Sequence, residues 1–154
     1  MEISAQGLRF IEGWESYAAY PYQDQGGNWT WGYGHKQLPG EPIPQFISQR
    51  QATQLLDHDV AWAEAAVNHH VAVALVQAQF DALVDFTYNV GAQAFIASTL
   101  LRLLNQGEYD AVAPQLLRWD HVWTPNGWIV SQGLRRRRVS EGNLFNYGDY
   151  RGNT

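Results

Sequence analysis

One short segment interrupts the helical pattern of this 154-residue chain. Between residues 17 and 35 the sequence is rich in aromatic residues and glycine, and Trp29, Trp31 and Tyr33 alternate with other residues. A period of two residues is typical of β-strands, and the polar, glycine-containing run at residues 24–27 is typical of a turn. The segment therefore predicts a small β-hairpin or meander within a chain that is otherwise helical.

Helical patterns lie on both sides of this segment, marked by capping residues and by apolar residues at helical spacing. The first predicted helix covers about residues 4–14 and is capped by Ser4, and the second is opened by a capping box of Ser48 and Gln51 and continues through Trp62. The third carries Phe80, Leu83, Val84 and Tyr88 and ends at Gly91, and the fourth is capped by Ser98 or Thr99. The fifth runs from about Asp110 to Trp119, where Pro114 begins or kinks it, and the sixth is capped by Ser131. This order predicts a single α+β domain that is mostly α.

Composition excludes several functional classes. A hydrophobic content of 45% indicates a globular protein, and a net charge of -5 argues against a nucleic-acid binder. With no cysteine the chain has no disulfide or thiolate metal site. The histidines His58, His69, His70 and His121 show neither i, i+4 pairing nor an H-E-x-x-H motif, so we expect no metal and no cofactor.

Two carboxylic acids in the aromatic segment are candidates for catalysis. Glu15 has Trp14 and Tyr17 beside it, and an apolar, partly dry setting disfavours the charged form, as a general acid requires. Asp24 lies in the predicted turn, where solvent keeps it ionised. Two carboxylates in contrasting environments are what cleavage of a glycosidic bond requires, although structural acids at helix ends are commoner than catalytic ones.

The string ESYAAYPYQDQGGNWTWGYGH resembles the signature of phage-type lysozymes, glycoside hydrolase family 24. In that signature an aspartate follows the glutamate by nine residues and a threonine follows it by fifteen. Asp24 and Thr30 have this spacing from Glu15 (24 − 15 = 9 and 30 − 15 = 15), whereas from Glu12 the separations are 12 and 18. The spacing favours Glu15, although Ser16 stands where the family usually has glycine, a residue that permits a positive φ at a helix end.

Similarity to the family continues from Leu8 to Phe145. The matching stretches are Gln79–Phe95 (Q-x-x-A-L-x-x-F-x-x-N-x-G), Ser98-Thr99-Leu100 with Leu104-Asn105, Arg118-Trp119, and Gly133-Leu134 with Arg136-Arg137 and Glu141. Residues 120–128 correspond least to the family pattern and are predicted to form a variable loop.

The resemblance implies a lysozyme-like fold with a cleft between two lobes. The expected single domain covers residues 1–154, with a small β-rich lobe at about 16–47 and a larger helical lobe at about 48–147. The N-terminal helix belongs to the helical lobe, and the chain is expected to be a monomer.

The activity implied by the resemblance is that of an endolysin, a muramidase that hydrolyses the β-1,4 bond between N-acetylmuramic acid and N-acetylglucosamine in peptidoglycan. Glu15 is the implied general acid, and Asp24 and Thr30 are implied to activate a water molecule in a single displacement with inversion. A separation of about 5 Å between the two carboxylates, instead of roughly 6.5–9.5 Å, would give retention. With no signal peptide or membrane span in the sequence, such an enzyme would gather in the host cytoplasm and need a holin to reach the wall.

Further residues match the family less specifically. Tyr88, Asn89, Ser98 and Thr99 match positions that help to form the opposite wall of the cleft, which implies contacts with the glycan; helix packing and capping are the simpler interpretation. His35 is expected to be a buried, hydrogen-bonding residue rather than a proton carrier.

The run Arg135–Arg138 has three interpretations. The first is an ordinary helix surface with one structural ion pair, such as Arg137 with Glu141. The second is that one arginine reaches inward to the catalytic glutamate. The third is a weak contact of the run with lipopolysaccharide or anionic lipid of the outer membrane.

Two other functions remain open from sequence alone. A lytic transglycosylase would cleave the same bond with Glu15 alone and leave 1,6-anhydro ends, but the presence of Asp24 and Thr30 at family spacing argues against it. The alternative from another class is a peptidoglycan-binding protein without catalytic activity.

Overall fold

The computed structural model describes residues 1–153 and has the α+β, mostly helical fold that the sequence predicts. The N-terminal helix α1 (Ala5–Glu15) leads into an antiparallel sheet of β1 (Ala18–Gln23), β2 (Trp29–Gly32) and β3 (His35–Lys36), in the order β1-β2-β3. The elements that follow are α2 (Gln49–Asp59), α3 (Ala61–His70), α4 (Gln77–Val90), α5 (Ala92–Ile96), α6 (Thr99–Asn105), a 3-10 turn (Tyr109–Ala111), α7 (Val112–Leu116), the hairpin of β4 (His121–Thr124) and β5 (Gly127–Val130), and α8 (Gln132–Tyr147).

Helix α1 is held at its N-terminus by its cap. The Ser4 hydroxyl accepts a hydrogen bond from the N–H of Gly7 at 2.9 Å, and it donates one to the buried carboxylate of Asp81 in α4. Phe10 and Ile11 on the inner face of the helix are almost fully buried. Because the helix is fixed to α4 in this way, the position of its last residue, Glu15, is also determined.

The three-stranded sheet forms where the alternating aromatic residues predict it. The Asp24 carboxylate accepts hydrogen bonds from the backbone N–H groups of Gly26 and Asn28, both at 2.9 Å, and so closes the turn between β1 and β2. The sheet lies against α2 at Gly32, where an added Cβ would come within 3.3 Å of the Ala52 side chain. The sheet therefore has a fixed position relative to the helices.

Two predictions about helices are wrong in detail. The helix expected to continue from the capping box through Trp62 is divided into α2 and α3, because the carbonyl of Val60 accepts from the N–H of Ala63 in a tight turn. The helix expected from about residue 110 to residue 119 is shorter, since α7 ends at Leu116. Pro114 is tolerated because it lies in the first turn of α7, where an N–H group has no helical partner.

The loop predicted for residues 120–128 is instead part of a second hairpin. Trp123 pairs with Trp128 and Thr124 with Gly127, and Gly127 has a φ of 104°. The dipeptide Asn126-Gly127 between apolar residues is a recognised hairpin signal, so the sequence did contain the information needed to predict this element.

Helix α4 lies at the centre of the core, as its apolar spacing predicts. Phe80, Leu83 and Val84 are fully buried, and α8 packs along it. None of the helices within residues 1–153 combines the length and the apolar character that crossing a bilayer requires.

Ser16 adopts a backbone conformation that favours glycine. It follows the last residue of α1 with φ 42° and ψ 127°, a conformation that residues with a Cβ rarely adopt. The strain lies directly beside Glu15 and lowers the stability of the fold.

We expect Ser16→Gly to raise the free energy of unfolding by about 1 kcal/mol, because glycine adopts this conformation without the Cβ penalty. Chemical denaturation of both proteins measures the difference. Ser140→Gly, within α8, is the matched control and should lower the free energy of unfolding by about 0.5 kcal/mol, because glycine has a lower helix propensity than serine. Equal or lower stability of Ser16→Gly would show that residue 16 carries no strain.

Candidate active site

A cleft of about 820 Å³ separates the sheet from the helices. One wall consists of Glu15 at the end of α1 together with the residues of β3 and its flanks, and the other consists of the start of α3 and the end of α4. Trp62 and Tyr88 face the cleft from this second wall and stack on each other, with ring centroids 5.7 Å apart and an interplanar angle of 29°. The cleft therefore combines a carboxylic acid on one side with aromatic rings on the other.

The two oxygens of the Glu15 carboxyl group have different surroundings. Oε1 lies 2.9 Å from Nη2 of Arg137, whereas Oε2 is directed towards Gly34, where an added Cβ would lie 3.7 Å from it. The side chain is 23% exposed, so the group is open to a ligand in the cleft. The prediction of an apolar environment for Glu15 is therefore wrong in one respect, because the guanidinium group of Arg137 contacts the Glu15 carboxyl group.

Arg137 is itself held by a second acid. Its Nε and Nη2 atoms donate to the two carboxylate oxygens of Asp85 in α4, at 3.0 and 2.7 Å, and both side chains are buried. Burial disfavours the charged guanidinium, but the charge of Asp85 outweighs that effect and raises the pKa of Arg137. Burial likewise favours protonation of Asp85, but Arg137 outweighs it and lowers the pKa of Asp85. Arg137 is thus a fixed cation between Asp85 and Glu15.

A further buried pair, Arg138 and Glu141, lies beside the first. Arg138 donates to Glu141 Oε1 at 2.9 Å and to Asn89 Oδ1 at 2.7 Å, and its guanidinium lies 5.1 Å from the centre of the Phe86 ring. Burial, with the charge of Asp85 added to it, raises the pKa of Glu141 well above its usual value. The pair therefore connects α8 to the end of α4, where the cleft begins.

The arginine run is divided between two roles. Arg137 and Arg138 are buried, and Arg137 also lies 3.8 Å from Glu141, so the predicted helix pair and the predicted inward contact with Glu15 both occur. Arg135 and Arg136 are exposed, and Arg135 pairs with Asp120 at 2.9 Å. A surface partner could therefore contact two of the four arginines directly.

Asp24, in the turn after β1, and Thr30, in β2, are not among the residues that line the cleft. Backbone hydrogen bonds, above all from Asn28, lower the pKa of Asp24 and keep it ionised, as predicted for a turn. The Thr30 hydroxyl is nearly buried and donates to the carbonyl of Asn28 at 3.2 Å. Lys36, which does line the cleft, pairs with Thr30 across β2 and β3, and its Nζ lies 3.4 Å from Asp24. Lys36 is therefore the cleft residue that neighbours both candidates.

The four residues matched to the opposite wall are separated in space. Tyr88 and Asn89 line the cleft. Burial and the nearby charge of Glu15 raise the pKa of Tyr88, so its hydroxyl stays protonated. Ser98 and Thr99 lie in a separate depression, and the Ser98 hydroxyl caps α6 by accepting from the N–H of Leu101 at 3.1 Å.

The phage lysozyme family matches residues 12–141 of the chain. The endolysin of Acyrthosiphon pisum secondary endosymbiont phage 1 is 36% identical over 145 residues, which cover 94% of this chain and 98% of that protein. The chain belongs to the phage lysozyme family. It is therefore a glycoside hydrolase of the lysozyme type, and the resemblance drawn from its motifs is confirmed.

Two other relatives extend the comparison. The endolysin of Bacillus phage PZA is 39% identical over 153 residues, which cover 96% of this chain but 56% of that protein, so the chain spans little more than half of its length. The muramidase domain of SpmX from Asticaccaulis excentricus superposes with a TM-score of 0.88 at 34% identity and covers 94% of this chain and 97% of that structure. The lysozyme-like fold is thus confirmed, as is the broad assignment to the lytic endolysins.

Glu12, the competing glutamate of this lysozyme, is directed elsewhere. It is half-buried and accepts a hydrogen bond from the Thr53 hydroxyl in α2 at 2.6 Å. It is therefore a contact between α1 and α2.

Two residues of the lysozyme site were not identified from sequence. Asp85 follows an apolar helical run, and a carboxylate on the buried side of such a helix signals a buried cation. The sequence predicts a continuous helix through Trp62, whereas the chain turns at Val60 and the Trp62 side chain is 44% exposed. Its stacking on Tyr88 could not be predicted without that turn.

His35 connects the sheet of the lysozyme to α2. It is 4% exposed, its Nδ1 lies 2.7 Å from Asp59, and its Nε2 lies 2.9 Å from Glu41. Burial lowers the pKa of His35, but hydrogen bonds to Glu41 and Asp59 outweigh it, so the pKa is raised overall. The interpretation as a buried, hydrogen-bonding residue agrees with this geometry.

Because the pKa of His35 is higher in the folded protein than its unfolded value of about 6.5, protonated His35 stabilises the fold. This contribution is complete below the unfolded value and is lost as pH rises through the folded pKa. We expect the stability difference between wild type and His35→Gln to be larger at about pH 5.5 than at about pH 9, as measured by urea denaturation. His58→Gln, whose side chain is 80% exposed, is the control. A difference for His35→Gln that grows with pH would contradict this account.

Proposed function

We propose that this lysozyme is a muramidase that hydrolyses the β-1,4 bond between N-acetylmuramic acid and N-acetylglucosamine in peptidoglycan, and that it lyses a bacterial host. The observation that carries the proposal is the carboxyl group of Glu15, which lies in the wall of the cleft with one oxygen held by Arg137 and the other directed towards Gly34. Membership of the family and the similarity to proteins described as endolysins and as a muramidase domain support it.

In this proposal Glu15 is the general acid. Its Oε2 carries the proton and transfers it to the oxygen of the departing sugar. Arg137 donates to Oε1 both before and after the transfer, so the orientation of the carboxyl group does not change during the step. Asp85 balances the charge of Arg137, so Arg137 positions the acid without supplying an isolated positive charge beside it.

The proposal assigns the activation of water to Asp24 and Thr30. Asp24 is ionised and can accept a proton, and the Thr30 hydroxyl, which donates to Asn28, keeps lone pairs that can accept from water. Attack by this water on the face of the sugar opposite the departing oxygen would invert the anomeric centre. Tyr88 and Trp62 would contact the sugar rings of the bound strand.

Access to the wall is the second part of the proposal. We propose that the enzyme accumulates in the host cytoplasm and reaches peptidoglycan through a membrane pore formed by a holin. This part rests on the similarity to endolysins alone. Added from outside, the protein would then lyse Gram-negative cells only after their outer membrane has been permeabilised.

The test compares Glu15→Gln with Glu12→Gln in the lysis of chloroform-treated Gram-negative cells. Glu15→Gln should lower the rate by roughly 10³-fold, because the amide cannot donate the proton that general acid catalysis requires. Glu12→Gln should keep activity within about threefold of wild type, since its carboxylate bonds to Thr53. Circular dichroism and thermal unfolding show whether each variant is folded.

Other outcomes would replace the proposal. An inactive Glu12→Gln beside an active Glu15→Gln would mean that the catalytic glutamate is residue 12. Mass spectrometry that detects 1,6-anhydro ends would identify a lytic transglycosylase. Binding of sacculi by the wild type with no release of reducing ends would identify a binding protein.

A further inference from the structure

Two exposed tryptophans lie on the β4–β5 hairpin, outside the cleft. Trp123 and Trp128 face each other across the two strands, with ring centroids 5.6 Å apart and an interplanar angle of 68°. They are 66% and 67% exposed. Exposed aromatic side chains that form a contiguous patch commonly mark a binding surface.

The hairpin that carries these rings is held firmly at both ends. At its base the N–H of Ser131 donates to the carbonyl of Asp120 at 2.7 Å, and the buried Asp120 carboxylate accepts a hydrogen bond from Arg135 at 2.9 Å. At its tip the Thr124 hydroxyl donates to the carbonyl of Gly127 at 2.7 Å. The hairpin is therefore ordered before any ligand binds, which lowers the entropy cost of binding.

Trp128 forms one side of a depression of about 520 Å³. Arg118, Trp119 and His121 also line it, and so do Asn89 and Val90 at the end of α4. Asn89 and Val90 line the active-site cleft as well, so the depression continues the cleft past the end of α4.

The chemistry of this depression suits a sugar chain. A sugar ring has an apolar face of C–H groups and a rim of polar substituents, so it stacks on an aromatic ring while its hydroxyl and acetamido groups accept hydrogen bonds. Trp128 and Trp119 provide aromatic surfaces, and Arg118 provides charged donors. The side chain of Asn89 is fixed at the junction, since its Oδ1 accepts a hydrogen bond from Arg138 at 2.7 Å.

We propose that this depression is a distal subsite that binds sugar rings of the peptidoglycan strand beyond those next to Glu15, with Trp128 as the main stacking surface. This inference rests on the proposed function, because the same peptidoglycan strand would occupy both the cleft at Glu15 and this depression. The subsite gives the enzyme a preference for long glycan strands over short fragments. Trp123 does not line the depression and supports the ring of Trp128 from the side.

The experiment measures kcat/KM for the release of reducing ends from peptide-free fragments of the N-acetylglucosamine–N-acetylmuramic acid polymer. Fragments of increasing length, from four sugars to long strands, are compared for wild type, Trp128→Ala and Ile129→Ala. Ile129 is 50% exposed on the other face of the same hairpin and is the matched control. Thermal unfolding shows that each variant remains folded.

We expect Trp128→Ala to hydrolyse the shortest fragments like wild type and to lose about tenfold in kcat/KM on long strands, mainly through KM, because a buried aromatic contact contributes on this scale. Ile129→Ala should match wild type at every length. An equal loss at all lengths, or no loss at any, would overturn the distal subsite while leaving the proposed function intact. If wild type released no reducing ends from any fragment, the proposed function itself would fail.

Discussion

The architecture of this lysozyme depends on one buried interaction, the contact of Arg137 with both Asp85 and Glu15. It joins three helices, since Glu15 ends α1, Asp85 lies in α4 and Arg137 lies in α8. A guanidinium group is suited to this role because its planar fork can bond to one carboxylate through two N–H groups and still contact another. The packing of the core and the placement of the candidate catalytic acid are therefore parts of the same interaction.

Burying these charges is costly, and the surrounding residues reduce that cost. Removal of one partner of a buried ion pair typically destabilises a protein by about 3–5 kcal/mol, because an uncompensated charge remains. Here Arg138, Glu141 and Asn89 provide further hydrogen bonds next to the first pair. The site is therefore held by several buried hydrogen bonds on the α8 side, whereas Ser16 on the α1 side has a strained backbone conformation.

Features set by local interactions could be predicted from the sequence, and features set by tertiary packing could not. The cap at Ser4 and the turn at Asp24 depend on near neighbours in the chain. The spacing of the motif selected Glu15, but its contact with an arginine 122 residues away (137 − 15 = 122) could be suggested only as one of three interpretations. The second hairpin was missed although Asn126-Gly127 signalled it, and the helix break before Trp62 is marked by no glycine or proline.

The central claim is that Arg137, held by Asp85, fixes the orientation of the Glu15 carboxyl group for catalysis. The most direct measurement is kcat and KM of Arg137→Lys on peptidoglycan strands, with thermal unfolding to show that the variant is folded. Lysine keeps the positive charge against Asp85 but cannot hold two carboxylates with the geometry of the guanidinium fork. The account predicts a fall in kcat of about tenfold with KM within about twofold of wild type. A folded Arg137→Lys variant with the kcat of wild type would contradict it.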